Sequence, residues 1–401
     1  MNLAAQATSL SEHKIIVLLV DDQPIIGEAV RRILSVADDI TYHYCQHATE
    51  ALQKAAELGP TVILQDLVMP EIDGLDLVPQ YRTQAETKDT PLIVLSTKEE
   101  AVTKAEAFAR GANDYLVKIP DGLELIARIR YHSRGYIAML ERQAAYEALQ
   151  RSEGILRDQL DSAADYVISL LPLPMKSPIS IDWSFVPSAA LGGDAFDYQW
   201  LDDRRLAMCL LDVCGHGVGS ALLSVSVLNT LRSRTLPDTN FKDPSSVLMR
   251  VNQAFQMDRQ NDLFFTMWYG VYDCETRQLT HAGAAHPPAL LIAPDVTDND
   301  RLRELNSSGP MIGIDEDSTF PSQTSEVRPG DQLYFFSDGV FEIIKPDGTM
   351  WTMEEFLEFM KQPIADGTTK SEELLTYVRE LQGRDELNDD FSIVHADFVA
   401  N

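Results

Sequence analysis

The period of the hydrophobic pattern changes twice along this chain, and each change restricts what the next segment can fold into. At the start, the apolar runs are continuous. Ile15 to Val20 ends at Asp21-Asp22, Val62-Ile63-Leu64 runs to Asp66, Leu92 to Leu95 runs to Ser96, and Tyr115-Leu116-Val117 runs to Lys118. Amphipathic segments of helix length, such as Gly27 to Val36 and Glu99 to Ala109, lie between them. Apolar strands alternating with helices predict a parallel sheet covered on both faces, a doubly wound α/β domain. In such a sheet, functional groups gather at the carboxyl ends of the strands. That edge holds Asp21, Asp22, Asp66, Ser96 and Lys118.

From Asp121 to about Leu171 the spacing becomes three-four. Ile126, Ile129, Ser133, Tyr136 and Leu140 share one stripe. After a phase break near Gln143, the stripe resumes through Tyr146, Leu149, Glu153, Leu156, Leu160, Ala163, Val167 and Leu170. The pattern predicts a helical connector with a coiled-coil seam, weakened at Glu153 and Gly154. A passive spacer and a dimerising helix both satisfy it. Leu171-Pro172-Leu173-Pro174 ends the helix, because proline cannot continue one.

From Ile179 the period is two: Ile179, Ile181, Trp183 and Phe185 alternate with polar residues. Further strand-like runs cover Phe196 to Leu201, Phe264 to Tyr272, Gln278 to His281 and Ala289 to Ala293. Helices are expected over Gly219 to Arg234 and over Asp243 to Asp258, the latter opened by Asp243-Pro244. Runs of strands with helices set apart predict an α+β domain. The expected organisation is 14–130, a connector 131–171, and 172–401. Residues 1–13 are expected to be loose, and Asp295 to Arg303 to form a charged loop.

The last region repeats one pattern at distant places. Leu206 to Leu211 stops at Asp212, followed by Val213-Cys214-Gly215-His216-Gly217. Tyr334-Phe335-Phe336-Ser337 stops at Asp338-Gly339. Gly192-Gly193 precedes Asp194, and Asn388-Asp389-Asp390 opens an apolar run. A strand-end aspartate before glycine is an ordinary turn former. Four such places also suit hard cations, which take oxygen ligands. They are expected to converge on two divalent metals, as in phosphoester hydrolysis.

The order Gly-Gly-Asp, Asp-x-x-Gly-x-Gly, Ser-Asp-Gly, Asp-Asp-x-Ser resembles the sporulation and stress-response branch of the bacterial PP2C-type serine/threonine phosphatases, over residues 170–398. Ala282 to Pro288, Gly309 to Gly313 and Asp338 to Glu342 agree with it. The resemblance implies two packed antiparallel sheets flanked by helices, holding two Mn²⁺ or Mg²⁺ ions at one end. Asp212 would bridge the ions, with the Val213 carbonyl beside it and Asp194, Asp338 and Asp389 completing the set. Water would attack the phosphorus of a phosphoserine or phosphothreonine with no phosphoenzyme. Many eukaryotic relatives carry a histidine two residues after the bridging aspartate; Cys214 stands there. The general acid is therefore open between His216 and His286, and Asp197, Asp390, Ser392 and Glu342 are expected to support the metal ligands.

The first region, over 14–130, resembles the receiver domain of two-component response regulators. The resemblance implies Mg²⁺ held by Asp21, Asp22, Asp66 and the Val68 carbonyl. Asp66 would be the phosphoacceptor, a carboxylate nucleophile, with Ser96 bonding the transferred group and Lys118 neutralising its charge. Met69-Pro70 and Asp73-Gly74 fit the loop that follows, and Tyr115 matches the aromatic switch position. Lys118-Ile119-Pro120 departs from the usual Lys-Pro. The implied partners are a cognate sensor histidine kinase, a phosphorylated anti-sigma-factor antagonist or similar phosphoprotein, and a second copy joined through the helical connector. Phosphorylation of Asp66 would control the phosphatase.

A net charge of −29 argues against nucleic acid or an anionic lipid surface as partner. The four cysteines, Cys45, Cys209, Cys214 and Cys274, form no CxxC pair, so buried thiols are expected. No basic-then-apolar leader opens the sequence and no apolar run reaches spanning length, so a cytoplasmic location is expected. Two other functions compete. Gly192-Gly193-Asp194-Ala195-Phe196 looks like a diguanylate cyclase signature, although Ala195 stands where a cyclase needs an acid. A degenerate phosphatase fold could also serve as a non-catalytic adaptor for a transcription regulator, although such folds usually lose metal carboxylates.

Overall fold

The computed structural model describes residues 14–70, 72–293, 301–364 and 367–398. The chain divides into two compact units, Met1–Gly154 and Ile155–Asn401. In the first, strands and helices alternate: β1 (Ile15–Val20), α1 (Pro24–Leu34), β2 (Ile40–Cys45), α2 (Ala51–Leu58), β3 (Val62–Asp66), α3 (Gly74–Thr83), β4 (Leu92–Ser96), α4 (Ala101–Ala109), β5 (Asp114–Val117) and α5 (Gly122–Ser169). The five strands form one parallel sheet in the order β2-β1-β3-β4-β5. The pleat sends alternate side chains to opposite faces. Leu18 and Val20 enter one core with α2 and α3, while Val17 and Leu19 enter another with α1 and α5. Burial on both faces is why these runs are continuously apolar.

Helix α5 runs without interruption through Gln143, so the phase break rotates the apolar stripe and does not end the helix. Its first turns are fixed by Leu125, Ile126 and Ile129 in the core and by Ser133, whose hydroxyl accepts 2.9 Å from Thr61 Oγ1. Arg128 and His132 both reach Asp114, and Arg130 pairs with Asp39. Further along, Leu140, Tyr146, Leu149 and Leu156 are exposed.

The second unit contains β6 (Ser180–Val186), β7 (Asp194–Trp200), β8 (Arg205–Val213), α6 (Val218–Ser233), α7 (Pro244–Ala254), β9 (Phe265–Asp273), β10 (Gln278–Ala284), β11 (Ala289–Ile292), β12 (Leu302–Leu305), β13 (Gln323–Glu326), β14 (Gln332–Phe336), α8 (Met353–Lys361), α9 (Lys370–Gln382) and β15 (Phe391–Asp397). Two antiparallel sheets form, β13-β10-β9-β8-β7 and β12-β11-β14-β15-β6. Their inner faces meet through Phe196, Leu210, Trp268, Leu333, Phe335 and Val394. Helices α6 and α7 cover the outer face of the first sheet, and α8 and α9 that of the second.

Local signals explain the helix starts. Asp243 caps α7, accepting from Ser245 N at 3.2 Å, with Pro244 in the first turn. Thr352 with Glu355, and Thr369 with Glu372, form reciprocal capping boxes on α8 and α9. The expected helix to Asp258 ends at Ala254, and Met257–Arg259 is a separate turn. Of the charged loop expected over 295–303, Leu302 and Arg303 already belong to β12. Residues 295–300 and 1–13 lie outside the described residues. Among the described residues, no helix is long and apolar enough to cross a membrane.

Candidate active sites

In the first unit, β1, β3 and β4 deliver Asp21, Asp66 and Ser96 to one edge, and Lys118 follows β5. Lys118 Nζ stands 2.6 Å from Asp21 Oδ2 and 2.7 Å from Asp66 Oδ2. Asp21, Asp22 and Asp66 each offer an oxygen within 4.8 Å of the others, a spacing that fits one divalent ion. Asp22 Oδ1 is buried with no hydrogen-bond partner. Burial raises the Asp21 pKa and Lys118 opposes that rise. Val68 lies beside the cluster, its N–H donating 3.3 Å to Asp66 Oδ1 while its side chain is exposed. The Ser96 hydroxyl is buried and accepts from Lys98 N at 3.1 Å. Tyr115 is buried, its hydroxyl donating to the Lys98 carbonyl at 2.6 Å. Asp21, Asp22, Asp66 and Lys118 thus meet, and Ser96 ends the neighbouring strand β4. The Lys118–Ile119 peptide at the departure from Lys-Pro is cis.

In the second unit, strand parity gathers the acids. Phe196 and Tyr198 face the partner sheet, so Asp194 at the start of β7 does too; Leu206, Met208 and Leu210 set Asp212 on the same face. Asp194 and Asp212 are direct cross-strand partners. Asp212 interacts with Asp194 and Asp338, and it feels the charge of Asp389 and Asp390. Asp338 follows β14, and Asp389 precedes β15. Asp212 therefore interacts with both Asp194 and Asp338 and lies within reach of the charge of Asp389, whereas among the described residues only the receiver acids bring three carboxylates within 4.8 Å of one another.

Close approach of backbone makes this possible. A Cβ on Gly193 would stand 2.5 Å from the Val213 carbonyl oxygen and 3.0 Å from that of Gly215. A Cβ on Gly339 would stand 2.3 Å from the Asp390 carbonyl. Only glycine allows these contacts. Asp390 is the clasp: Oδ1 accepts from Ser188 N and Oγ at 2.8 and 2.9 Å, and Oδ2 from Gly193 N at 2.6 Å.

The electrostatics ask for cations. Both oxygens of Asp194 are buried and complete no hydrogen bond, although the Ser337 and Ser392 hydroxyls lie near enough to act on it. Burial, then the charge of Asp212, pushes the Asp194 pKa well above the carboxylate range. Burial, then Asp338, pushes Asp212 up to about 8. Burial raises Asp338 with help from Glu342, and partial burial raises Asp389 at the rim. Packed anions of this kind either bind protons or are neutralised by metal. The oxygen donors and orphaned carboxylate oxygens fit divalent Mg²⁺ or Mn²⁺.

The remaining expected residues divide. His216 is exposed in the loop after β8, and its charge acts on Asp389. His286 is buried, its Nδ1 3.1 Å from the Pro287 carbonyl, and burial lowers its pKa to about 4. Glu342 adjoins Asp338, and Ser392 adjoins Asp194. Asp197 does not join them. Three positions after Asp194 it occupies the other face, where it takes a bidentate pair of 2.9 Å bonds from Arg232 of α6. Cys214 is half-buried, its sulfur accepting from Phe264 N at 3.4 Å. Ser188, which completes the Asp390 clasp, carried no sequence signal: its role depends on a contact with Asp390, 202 residues away.

Residues 17–130 match the response regulator receiver domain model, and residues 202–399 match the model of stage II sporulation protein E, SpoIIE. The phosphoserine phosphatase RsbU of Bacillus subtilis is 26% identical over 225 residues, covering 54% of this chain and 65% of its own length. Protein IcfG of Synechocystis is 26% identical over 311 residues, covering 70% of this chain and 48% of its own. The chain thus spans about half to just under two thirds of the curated relatives it matches. The solved SiaA-PP2C domain of Pseudomonas aeruginosa superimposes with a TM-score of 0.52 at 20% identity, covering 63% of this chain and 98% of that one, a likeness of fold.

Proposed function

We propose, for a chain that carries a response regulator receiver domain followed by a SpoIIE/PP2C phosphatase domain, that it is a metal-dependent protein serine/threonine phosphatase under phosphorylation control. The observation that carries this is the cross-strand pairing of Asp212 with Asp194, whose buried oxygens complete no hydrogen bond among the described residues, beside Asp338. A buried carboxylate among other acids would be available as a ligand to divalent cations. Asp194, Asp212, Asp338, Asp389 and the Val213 carbonyl would hold them. Bound Mn²⁺ or Mg²⁺ supplies Lewis acidity and makes water a nucleophile at neutral pH. The chain's own part is orientation. Asp390 holds the Gly193 loop against β8, and the Ser337 and Ser392 hydroxyls lie near Asp194. His216, at the open rim beside Asp389, hands a proton to the departing serine oxygen. His286 is enclosed and serves its loop.

In the receiver, Asp66 takes a phosphoryl group from a sensor histidine kinase. Asp21, Asp22 and the Val68 carbonyl would hold Mg²⁺, Lys118 offsets charge on the transferred group, and Ser96 bonds it. Helix α5 pairs with a second copy as a coiled coil through its exposed stripe of Tyr146, Leu149 and Leu156, and carries the signal. RsbU and RsbP are phosphoserine phosphatases; the substrate here is a phosphoserine on a small regulatory protein of the anti-sigma-factor antagonist type.

Phosphate release from a phosphoserine protein with Mn²⁺ tests the reading. Release abolished by Asp338→Ala supports it. An inert wild type points to an adaptor, and GTP turnover to a cyclase. Turnover measured before and after a small phosphoryl donor tests control through Asp66; equal rates reject it.

A further inference from the structure

Away from both acidic sites, a cavity of about 240 Å³ opens where the second sheet of the phosphatase unit meets α8 and α9. Ile292, Tyr334, Met360 and Gln362 line it together with two cations, Arg301 and Lys370. Gln332, also in its wall, begins β14, whereas Asp338 lies beyond the far end of that strand. The cavity is therefore separate from the catalytic acids.

The two cations differ in how they are satisfied. Lys370 is almost fully buried, with 3% of its side chain exposed. Its Nζ donates to the Gln362 carbonyl at 3.0 Å, lies 4.6 Å above the Phe359 ring and stands 3.5 Å from Glu373. Those contacts explain Lys370 as a brace between α8 and α9. Arg301 has no such account. Among the described residues its guanidinium forms no ion pair, and its buried Nε has no hydrogen-bond partner. A buried donor left unmade is costly, and guanidinium cannot shed its charge. Burial pushes the Lys370 pKa down, Glu373 opposes that, and the Arg301 charge adds to it. Two like charges line one cavity in a chain with only 33 basic residues against 62 acidic ones.

We propose that this cavity is a binding site for a small oxyanion of the phosphate class. Arg301 supplies the planar fork that grips two oxygens, and Lys370 supplies a second positive charge from the opposite element. Its volume accommodates a phosphate-sized ion with several waters, at about 30 Å³ per water. Occupation ties β11 and β14 to the α8–α9 junction and satisfies the guanidinium.

The test is calorimetric titration of the full chain, freed of metal by chelation, with inorganic phosphate against chloride of equal ionic strength. Wild type is expected to show a saturable site that weakens at least tenfold in Arg301→Gln, with Arg301→Lys between the two. Absence of a saturable site, or equal affinity in Arg301→Gln, overturns the proposal. Thermal melting gives a second reading. Phosphate is expected to raise the melting temperature of wild type more than that of Arg301→Gln; equal rises overturn it. Among the described residues the Arg301 side chain makes no bond, so the variant is expected to melt within a few degrees of wild type in chloride.

Discussion

Asp390 accepts a 2.6 Å hydrogen bond from the backbone N–H of Gly193, a residue 197 positions earlier in the chain. That contact holds the Asp194 and Asp389 segments together, because Gly193 precedes Asp194 and Asp390 follows Asp389. Its partners are short and charge-assisted, the stronger kind.

Asp390→Ala is therefore expected to loosen the site without removing a metal ligand. Supporting residues of this kind typically change metal affinity 10- to 100-fold. Leaving the Gly193 and Ser188 N–H groups unmatched is expected to cost about 2–3 kcal/mol of stability. Mn²⁺ titration and urea unfolding measure the two effects. Unchanged Mn²⁺ affinity would show that the clasp does not position the acids.

Gly193→Ala should be nearly as damaging, for a steric reason. The added methyl would meet the Val213 carbonyl at 2.5 Å, inside any tolerated contact. The loop must move, at about 2 kcal/mol or more, and phosphate release should fall by at least tenfold. Activity within twofold of wild type would mean that the loop yields without disturbing Asp194.

In the receiver, Lys118 is the counter-charge to Asp21 and Asp66. Lys118→Met leaves buried carboxylates facing each other. Removing one partner of a buried pair costs about 3–5 kcal/mol. The loss is expected in Mg²⁺-free buffer and should shrink when Mg²⁺ is added, as the ion replaces the ammonium. Urea unfolding with and without Mg²⁺ reads this; a deficit unmoved by Mg²⁺ contradicts it.

Stability should also depend on pH through His281. It is buried against the Trp268 ring, neither ring nitrogen has a partner, and burial pushes its pKa down to about 4. The unfolded residue titrates near 6.5, so between these values the unfolded chain binds more protons. Stability is full above about pH 6.5 and falls as pH drops towards about 4. Between pH 7 and pH 5 the loss from this residue is about 2 kcal/mol. His281→Phe should lose that much less over the same interval. Identical pH dependence in variant and wild type would exclude the effect.

Much of this arrangement was legible in the sequence because strand ends and acids coincide. An apolar run that stops at Asp66 or Asp212 identifies both the strand and the edge it points to. Parity was the harder part. Asp197 lies near Asp194 in sequence but an odd number of positions away, so it faces α6 and pairs with Arg232. That His286 is enclosed while His216 is exposed could not come from spacing, since it depends on how each loop packs. The clasp of Asp390 on Ser188, and the cavity shared by Arg301 and Lys370, join residues far apart in the chain. Periodicity carries no trace of such contacts.

The central claim is that Asp194, Asp212, Asp338 and Asp389 act as one cage for two ions. Counting Mn²⁺ bound per chain by equilibrium dialysis tests it most directly, with Asp22→Asn as background to weaken the receiver site. The account predicts two ions for that background, and loss of both on adding Asp212→Asn, because the shared ligand serves each. Retention of both ions by the Asp212→Asn protein would contradict it.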